Sequence, residues 1–397
     1  MTKRFFCALM AMLMGSQVLA AKPGPSVNSS LWPEPSGLVS PSYMLIDLST
    51  GQSLSSRKED LEVAPAGLTS LMTAYITLSA IRDRTLRLNQ ALPTPAESEI
   101  PPGPRMFLGA DGAKVQELLR GLMVVGAQDA ALALAKGVSG DEASFVLLMN
   151  QAAARLGMTK TRFVNATGAA SSEARTTARD MALLAASLFR EFPEAFELSR
   201  QRSLQFNGIL QTNKNRLLWL DQSVDGLFAT DLTGGSSGLV TARRPQPIGP
   251  REQIQRRLLV VLLQAPSPEV RSQETLRLLN FGYQQFDLVR LFRSDERPTP
   301  LPVFKGGQDS VRAEFKQDVQ VAVPRGAVEQ LRLELQRPRG LVAPVTAGQP
   351  VGLLRVWLGN LEIHRVEMTA VESVKPAGLL GRSIDSARLL FQSLQQP

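Results

Sequence analysis

The spacing of apolar residues divides the first two thirds of the chain into strands and helices. Residues 42–54 combine an apolar run, a turn at Thr50-Gly51 and a second short run, which predicts a β-hairpin. Between residues 68 and 81 apolar side chains recur three and four positions apart, which indicates a helix. Residues 258–263 are apolar without interruption, as in a buried strand. The same criteria predict further helices at residues 115–123, 129–136 and 179–189 and a helix that begins at Glu274.

The pattern changes after residue 297. From Leu301 to Val374 the chain alternates in short runs broken by proline and glycine, such as 319–323 and 331–335, which predicts a small β-rich domain. Beyond it, apolar residues step by four and three positions and so share one helical face. They are Leu380, Ile384, Ala387, Phe391 and Leu394. An amphipathic helix is therefore predicted for residues 376–397.

The first residues have the features of an export signal. Lys3 and Arg4 precede the apolar run 5–14, and small residues at 18–21 suit cleavage. The run is about half of the roughly 20 residues needed to cross a bilayer. A signal peptide at 1–21 is predicted, followed by a linker rich in Pro, Gly and Ser at 22–40. An uncleaved N-terminal membrane anchor is the alternative.

Composition excludes several classes of site. Cys7, the only cysteine, lies in the predicted signal peptide, and His364 is the only histidine. Sites built from several His or Cys ligands and cysteine nucleophiles are therefore excluded, and neither a metal nor a cofactor is expected. The formal net charge of +8 is spread over scattered basic residues that do not alternate with aromatic ones. Nucleic acid is therefore not an expected partner, whereas an anionic lipid or wall polymer is compatible with the charge.

Four segments occur in a fixed order along the chain, at 64–73, 126–130, 176–182 and 224–230. Together they resemble the D-alanyl-D-alanine carboxypeptidases, the low-molecular-mass penicillin-binding proteins, and the similarity runs from about residue 41 to the end. The resemblance implies an α/β (α+β) fold. A transpeptidase-like domain with an antiparallel sheet and flanking helices would occupy residues 41–296, and the small β-rich domain residues 297–375.

This family has three motifs, S-x-x-K, a triplet of the S-x-N type and K-T-G. The serine of the first attacks the D-Ala-D-Ala carbonyl, the lysine one turn later removes its proton, and the lysine of the third holds the terminal carboxylate. This chain departs from all three. The matching positions are Gly67 and Ser70, then Gly126 and Gln128, then Phe228, Ala229 and Thr230.

These replacements predict a pseudoenzyme, because Gly67 has no hydroxyl and Ser70 has no basic nitrogen. Gln128 and Phe228 are expected to line the groove that binds substrate in the family, and Asp231 is expected to repel a terminal carboxylate. The expected role is binding or regulation in peptidoglycan metabolism in the periplasm, with stem peptides or cell-wall enzymes as partners. Residues 377–397 are expected to contact the inner membrane peripherally. The alternative is a working serine-type carboxypeptidase or hydrolase that uses non-standard residues.

Overall fold

The computed structural model describes residues 32–231, 235–248, 252–294, 299–338 and 340–378. The predicted signal peptide and the core of the predicted tail helix lie outside these residues. Within them, no helix is long and apolar enough to cross a membrane. The mixed fold expected from the sequence, an antiparallel sheet with helices followed by an all-β domain, is confirmed.

A five-stranded antiparallel sheet forms the centre of the first domain. The strands are β1 (Ser42–Asp47), β2 (Ser53–Arg57), β7 (Val224–Thr230), β8 (Ser236–Pro247) and β9 (Gln253–Ala265). Their order in the sheet is β2-β1-β9-β8-β7, so the predicted hairpin β1–β2 pairs with β9, which follows much later in the chain. Two small hairpins accompany the sheet, β3 (Ala91–Leu92) with β4 (Ala113–Lys114) and β5 (Ser203–Phe206) with β6 (Ile209–Thr212).

Both faces of this sheet are covered, which explains the uninterrupted apolar run in β9. Leu259 and Val261 point into a core formed with the larger helix layer, whereas Leu258 and Val260 point into a second core with the last helix and the β domain. The larger layer is α1 (Thr69–Arg82), α2 (Val115–Val125), α3 (Gln128–Ser139), α4 (Glu142–Leu156), α5 (Ala178–Glu191) and α6 (Glu194–Ser199). The remaining helices are α7 (Leu217–Leu220) and α8 (Pro268–Gln285).

The β domain begins earlier than the boundary at residue 297 that the sequence suggested. β10 (Phe286–Phe292) follows α8 directly and pairs with β13 (Val319–Pro324). Phe286 belongs to the second core, and Val289, Leu291 and Phe292 pack against it. The change in sequence pattern at the proline-rich segment near residue 297 did not indicate this earlier start. The other strands form a six-stranded sheet of order β14-β16-β17-β12-β11-β15. They are β11 (Thr299–Phe304), β12 (Ser310–Glu314), β14 (Leu331–Gln336), β15 (Leu341–Val342), β16 (Pro350–Leu358) and β17 (Leu361–Ala370).

The predicted linker 22–40 is wrong for its last part, because residues 32–40 pack on the folded domain. The Trp32 ring lies 5.1 Å from the Phe286 ring, and its Nε1 donates to Leu54 O at 2.6 Å. The backbone N–H groups of Val39 and Ser40 both donate to the Glu274 carboxylate. A short segment without apolar periodicity can therefore be ordered when its few apolar side chains are buried and distant side chains satisfy its backbone.

Buried polar groups connect the two domains. Gln52 lies in the turn between β1 and β2. Its side chain accepts a hydrogen bond from Ala322 N at 2.6 Å and donates to Ala322 O and Ile363 O, both at 3.2 Å. Beside it, Asp47 pairs with Arg256 at 2.7 Å, and Arg256 donates to Phe286 O at 2.9 Å. Both ionic side chains are completely buried, so the second domain is joined to the first through specific polar contacts as well as apolar packing.

Candidate functional site

The first predicted motif lies at the start of α1. A short 3₁₀ turn, Ala66–Leu68, leads into the helix, and both Gly67 and Ser70 are buried. The turn is held closely from the other side by Gly168, where an added Cβ would lie 2.0 Å from Ala66 O. Only a glycine fits at this approach of two backbones. The turn is therefore closely packed, although the side chains of Ala66, Gly67 and Leu68 contain no nucleophile or base.

The second motif lies at the junction between α2 and α3. Gly126 ends α2 in the left-handed conformation, with φ of 72°, and its N–H donates to Leu122 O at 3.0 Å. Gln128 then begins α3, and its backbone N–H donates to Pro104 O at 2.8 Å. The chain therefore makes a sharp bend between two helices, as a glycine at a helix C-terminus permits.

Gln128 does not line an open groove. Its side chain is 1% exposed, and its amide nitrogen donates to Pro101 O at 2.8 Å and Pro102 O at 3.2 Å, in the amide orientation that satisfies both carbonyls. A Cβ on Gly103 would meet this amide at 2.5 Å, so the segment 101–104 is packed directly on it. The expectation of a ligand contact is wrong for this side chain, because it holds a neighbouring loop.

Phe228 also faces inward, from strand β7. Its side chain is 3% exposed, and its Cζ lies 3.1 Å from the position that a Cβ on Gly126 would take. β7 also lies against the 3₁₀ turn Ala66–Leu68. The structure thus brings the three predicted motif segments together. The ring of Phe228, on β7, packs against the junction between α2 and α3. Ala229 and Thr230, the next residues of β7, are buried too.

Asp231 follows β7 and is the one groove candidate with substantial exposure, at 30% of its side chain. Its carboxylate forms an ion pair with Arg271 on α8 and accepts from Ser236 Oγ at 2.7 Å. In the sequence, Arg271 is one of many scattered basic residues. Its pairing neutralises Asp231, so the expected repulsion of a carboxylate by Asp231 is largely cancelled.

Arg271 is the residue that organises this end of the sheet. Besides Asp231, it donates to Thr230 O at 3.2 Å, Ser236 Oγ at 2.6 Å and Lys214 O at 2.8 Å. Burial lowers its pKa, and the neighbouring Asp231 carboxylate acts in the opposite direction. No signal for this role is present in the sequence, where Arg271 lies before the helix that is predicted to begin at Glu274. Nothing local indicated that it would reach the end of β7.

The site's surroundings contain few groups that could transfer a proton. A shallow pocket beside Ala66 has Thr69, Asn165 and Ser171 as its polar lining and no ionisable side chain. His364 lies in β17 of the other domain, where burial lowers its pKa to about 4. In the part of the chain that the structure describes, no cluster of three His, Cys, Asp or Glu residues could hold a metal ion.

Fold and sequence together define the class of protein. The family model described as D-alanyl-D-alanine carboxypeptidase matches residues 31–243, and the model of the penicillin-binding protein 5 C-terminal domain matches residues 286–376. The chain belongs to the D-alanyl-D-alanine carboxypeptidase family, whose members are penicillin-binding proteins of peptidoglycan metabolism. The second match begins at residue 286, where β10 also begins.

Individual relatives match over nearly their whole length. D-alanyl-D-alanine carboxypeptidase DacC of Escherichia coli is 30% identical over 377 residues, which cover 92% of this chain and 89% of the relative. DacA of Haemophilus influenzae is 27% identical and is covered to 91%, as is this chain. The crystal structure of penicillin-binding protein 5 from Haemophilus influenzae superposes with a TM-score of 0.75 at 25% identity, covering 86% of this chain and 99% of that one.

Proposed function

We propose that this chain is a non-catalytic member of its family with a binding or regulatory role in peptidoglycan metabolism. The observation that carries the proposal is Gly67, which stands where the family's S-x-x-K motif has its serine and offers no nucleophile. Ser70 stands where the lysine is expected and has no basic nitrogen. Removing the nucleophile of a serine hydrolase lowers turnover by roughly a factor of 10⁶, which is incompatible with a useful carboxypeptidase.

The packing of Phe228 supports the same proposal. A lysine at this position would present a cation to the terminal carboxylate of a D-Ala-D-Ala peptide, whereas the phenyl ring packs against Gly126 in the interior. A buried ring of this kind stabilises the fold and leaves no charge for the substrate. Thr69 and Ser171 carry hydroxyl groups in the pocket beside Ala66. No basic side chain lines that pocket, so neither residue is a ready substitute nucleophile.

The test is covalent labelling with a fluorescent penicillin, followed by mass spectrometry, with penicillin-binding protein 5 of Haemophilus influenzae as the positive control. We expect no adduct on this chain and no release of D-alanine from a pentapeptide. A stoichiometric adduct, or turnover of the peptide, would instead support the alternative of a working serine hydrolase with non-standard residues.

A set of repaired variants makes the test more specific. Gly67→Ser alone should stay inactive, because the general base is still missing. Gly126→Ser places a side chain on a left-handed backbone position, with φ of 72°, and must also be combined with Phe228→Lys, since the added Cβ would otherwise lie 3.1 Å from the ring. Restored labelling in a variant that combines these three changes with Ser70→Lys would attribute inactivity to the four positions. Labelling by Gly67→Ser alone would show that another group acts as the base.

The proposed location is the periplasm, with partners among stem peptides or cell-wall enzymes. The support is the export-signal pattern of residues 1–21 and the family's role. Fractionation of cells that express the full chain, with N-terminal sequencing of the product, tests export. Deleting residues 377–397 should move any membrane-associated fraction to the soluble periplasmic pool, and an unchanged distribution would contradict membrane contact by this segment. Pull-down with stem peptides and periplasmic extract tests the partners.

A further inference from the structure

An open pocket lies at the start of β7, at the other end of the strand from Phe228. It offers a volume of about 260 Å³, and its lining is predominantly polar. Asp225, which lines the pocket, and Phe228 are three residues apart on this strand, or about 10 Å of extended chain. The polar lining consists of Arg200, Arg202, Gln222, Ser223, Asp225 and Arg243.

Three arginines reach this pocket from different parts of the fold. Arg200 directly follows α6, Arg202 directly precedes β5, and Arg243 projects from β8. Arg202 donates from Nε to Leu218 O at 3.0 Å, which orients its guanidinium while its two terminal nitrogens make no hydrogen bond to the described residues. The side chains of Arg200 and Arg243 are 54% and 50% exposed, so their donors are accessible from solvent.

The only acidic residue in the lining is already matched by another cation. Asp225 pairs with Arg257 at 2.7 Å and accepts from Thr241 Oγ1 at 2.8 Å. Arg257 lies beside the rings of Phe189 and Phe196, at 4.8 and 4.9 Å from their centroids, which keeps this pair in place. Arg243 Nε is 3.9 Å from the same carboxylate, a longer and weaker contact.

The charged side chains in and around the pocket carry a net positive charge. Arg200 pairs with Glu197 at 2.6 Å, an exposed contact of the kind that contributes little. Counting this glutamate and Asp225 against the arginines at 200, 202, 243 and 257, four cations face two anions, and the excess is two positive charges. An excess of two charges around one open pocket concentrates anions there.

We propose that this pocket binds a phosphate monoester group. Such a group carries about −1.5 to −2 at neutral pH and so matches the excess, whereas a single carboxylate would leave half of it unbalanced. Guanidinium groups bind phosphate oxygens through paired N–H donors, and arginines from three segments can surround a tetrahedral group. The phosphate can belong to a soluble ligand or to a lipid headgroup, and both present the same chemistry.

The first experiment titrates inorganic phosphate into the exported chain by calorimetry, at constant ionic strength, with acetate as the monovalent comparator. We expect one saturable phosphate site and weaker binding of acetate. Arg202→Gln combined with Arg243→Gln should weaken phosphate binding about tenfold for each arginine lost. Arg243→Gln alone repeats the test without removing the contact between Arg202 and Leu218.

The control carries the same loss of charge elsewhere. Arg162→Gln combined with Arg325→Gln removes two exposed arginines, 53% and 62% accessible, that lie outside the pocket. This variant should bind phosphate like the wild type. The absence of saturable binding, equal binding of acetate, or equal weakening in both double variants would overturn the proposal, since the effect would then be absent or a property of net charge alone.

Vesicles distinguish the two sources of phosphate. Flotation with phosphatidylcholine vesicles is compared with and without phosphatidic acid, whose headgroup is a phosphate monoester. Flotation that requires phosphatidic acid, Arg202 and Arg243 would identify a lipid headgroup, and phosphate binding without flotation would identify a soluble ligand. Both results support the pocket. Flotation that is identical for the pocket variant and the control, with no phosphate binding in solution, contradicts it.

Discussion

The two ends of strand β7 differ in the exposure of the side chains around them. At one end Phe228 is buried against Gly126, and the ion pair of Asp231 with Arg271 covers the end of the strand. At the other end the chain stays open, and Arg202 and Arg243 face solvent around a polar pocket. β7 pairs with β8 from Val224 to Thr230, and the register shifts once, between Val224 and Gly226, at the pocket end.

One strand therefore carries a buried packing residue near one end and a polar surface at the other. A buried phenyl ring adds to stability through the area that it removes from water. Exposed arginines add little to stability and remain available for a ligand. Substitutions at the first end should therefore cost stability, whereas substitutions at the second should affect binding alone.

The largest effect is expected at Phe228. Phe228→Ala leaves a cavity beside Gly126 and should lower the free energy of unfolding by about 4 kcal/mol, measured by urea denaturation. Phe107→Ala removes the same ring at a position that is 52% exposed and should change stability far less. Equal losses in the two variants would show that Phe228 is not a packing residue.

A somewhat smaller loss is expected at Arg271. Arg271→Met leaves the carbonyl oxygens of Thr230 and Lys214 without this donor and should cost about 3 kcal/mol, measured in the same way. Arg216→Met is the matched control, because Arg216 also pairs with a carboxylate, at 2.5 Å, but is 55% exposed. That control should cost no more than about 1 kcal/mol. If Arg271→Met is as mild as the control, the end of the strand is not held by this side chain.

His364 tests whether burial also controls titration, away from both ends of β7. Burial lowers its pKa to about 4, so the folded state binds fewer protons than the unfolded state between pH 6.5 and 4. Stability should therefore be unaffected by His364 above pH 7 and should fall by about 2 kcal/mol between pH 7 and 5. Denaturation of wild type and His364→Gln at both pH values isolates this contribution, because all carboxylates titrate in both proteins. Parallel pH profiles would contradict the prediction.

The smallest effect on stability is expected at the arginine pocket. Arg202→Gln combined with Arg243→Gln should change the free energy of unfolding by less than about 1 kcal/mol, since Arg243 is half exposed and its contact with Asp225 is long. Thermal unfolding without phosphate measures this. A loss comparable to that of Phe228→Ala would mean that the two ends of β7 are both structural, and the comparison would fail.

Local elements were predictable because their patterns depend on neighbours in sequence. The hairpin β1–β2 and helix α1 lie within a few residues of their predicted bounds. The early start of the β domain at β10 was not predictable, because Phe286–Phe292 has no turn or proline that separates it from α8. The ordering of residues 32–40 was also missed, since it depends on Glu274 and Phe286, which are distant in sequence.

The candidate site was also predictable only in part. The positions of Gly67, Gly126 and Phe228 follow from motif order, and the structure brings their segments together. The inward turn of Gln128 does not follow from it, because the carbonyl oxygens that hold its amide belong to residues 101 and 102, in a segment without periodicity.

The sequence alone predicts the hairpin β1–β2, helix α1 and a mixed α and β domain before a β-rich one, and it places Gly67 and Ser70 at the positions that match the family's S-x-x-K motif. Each of these depends on residue identity or on spacing along the chain. Only the folded structure reveals that Phe228 packs against Gly126, that Arg271 neutralises Asp231, and that arginines from three segments line one pocket. These are contacts between residues far apart in sequence, and their energy depends on burial and distance, which a linear pattern does not contain.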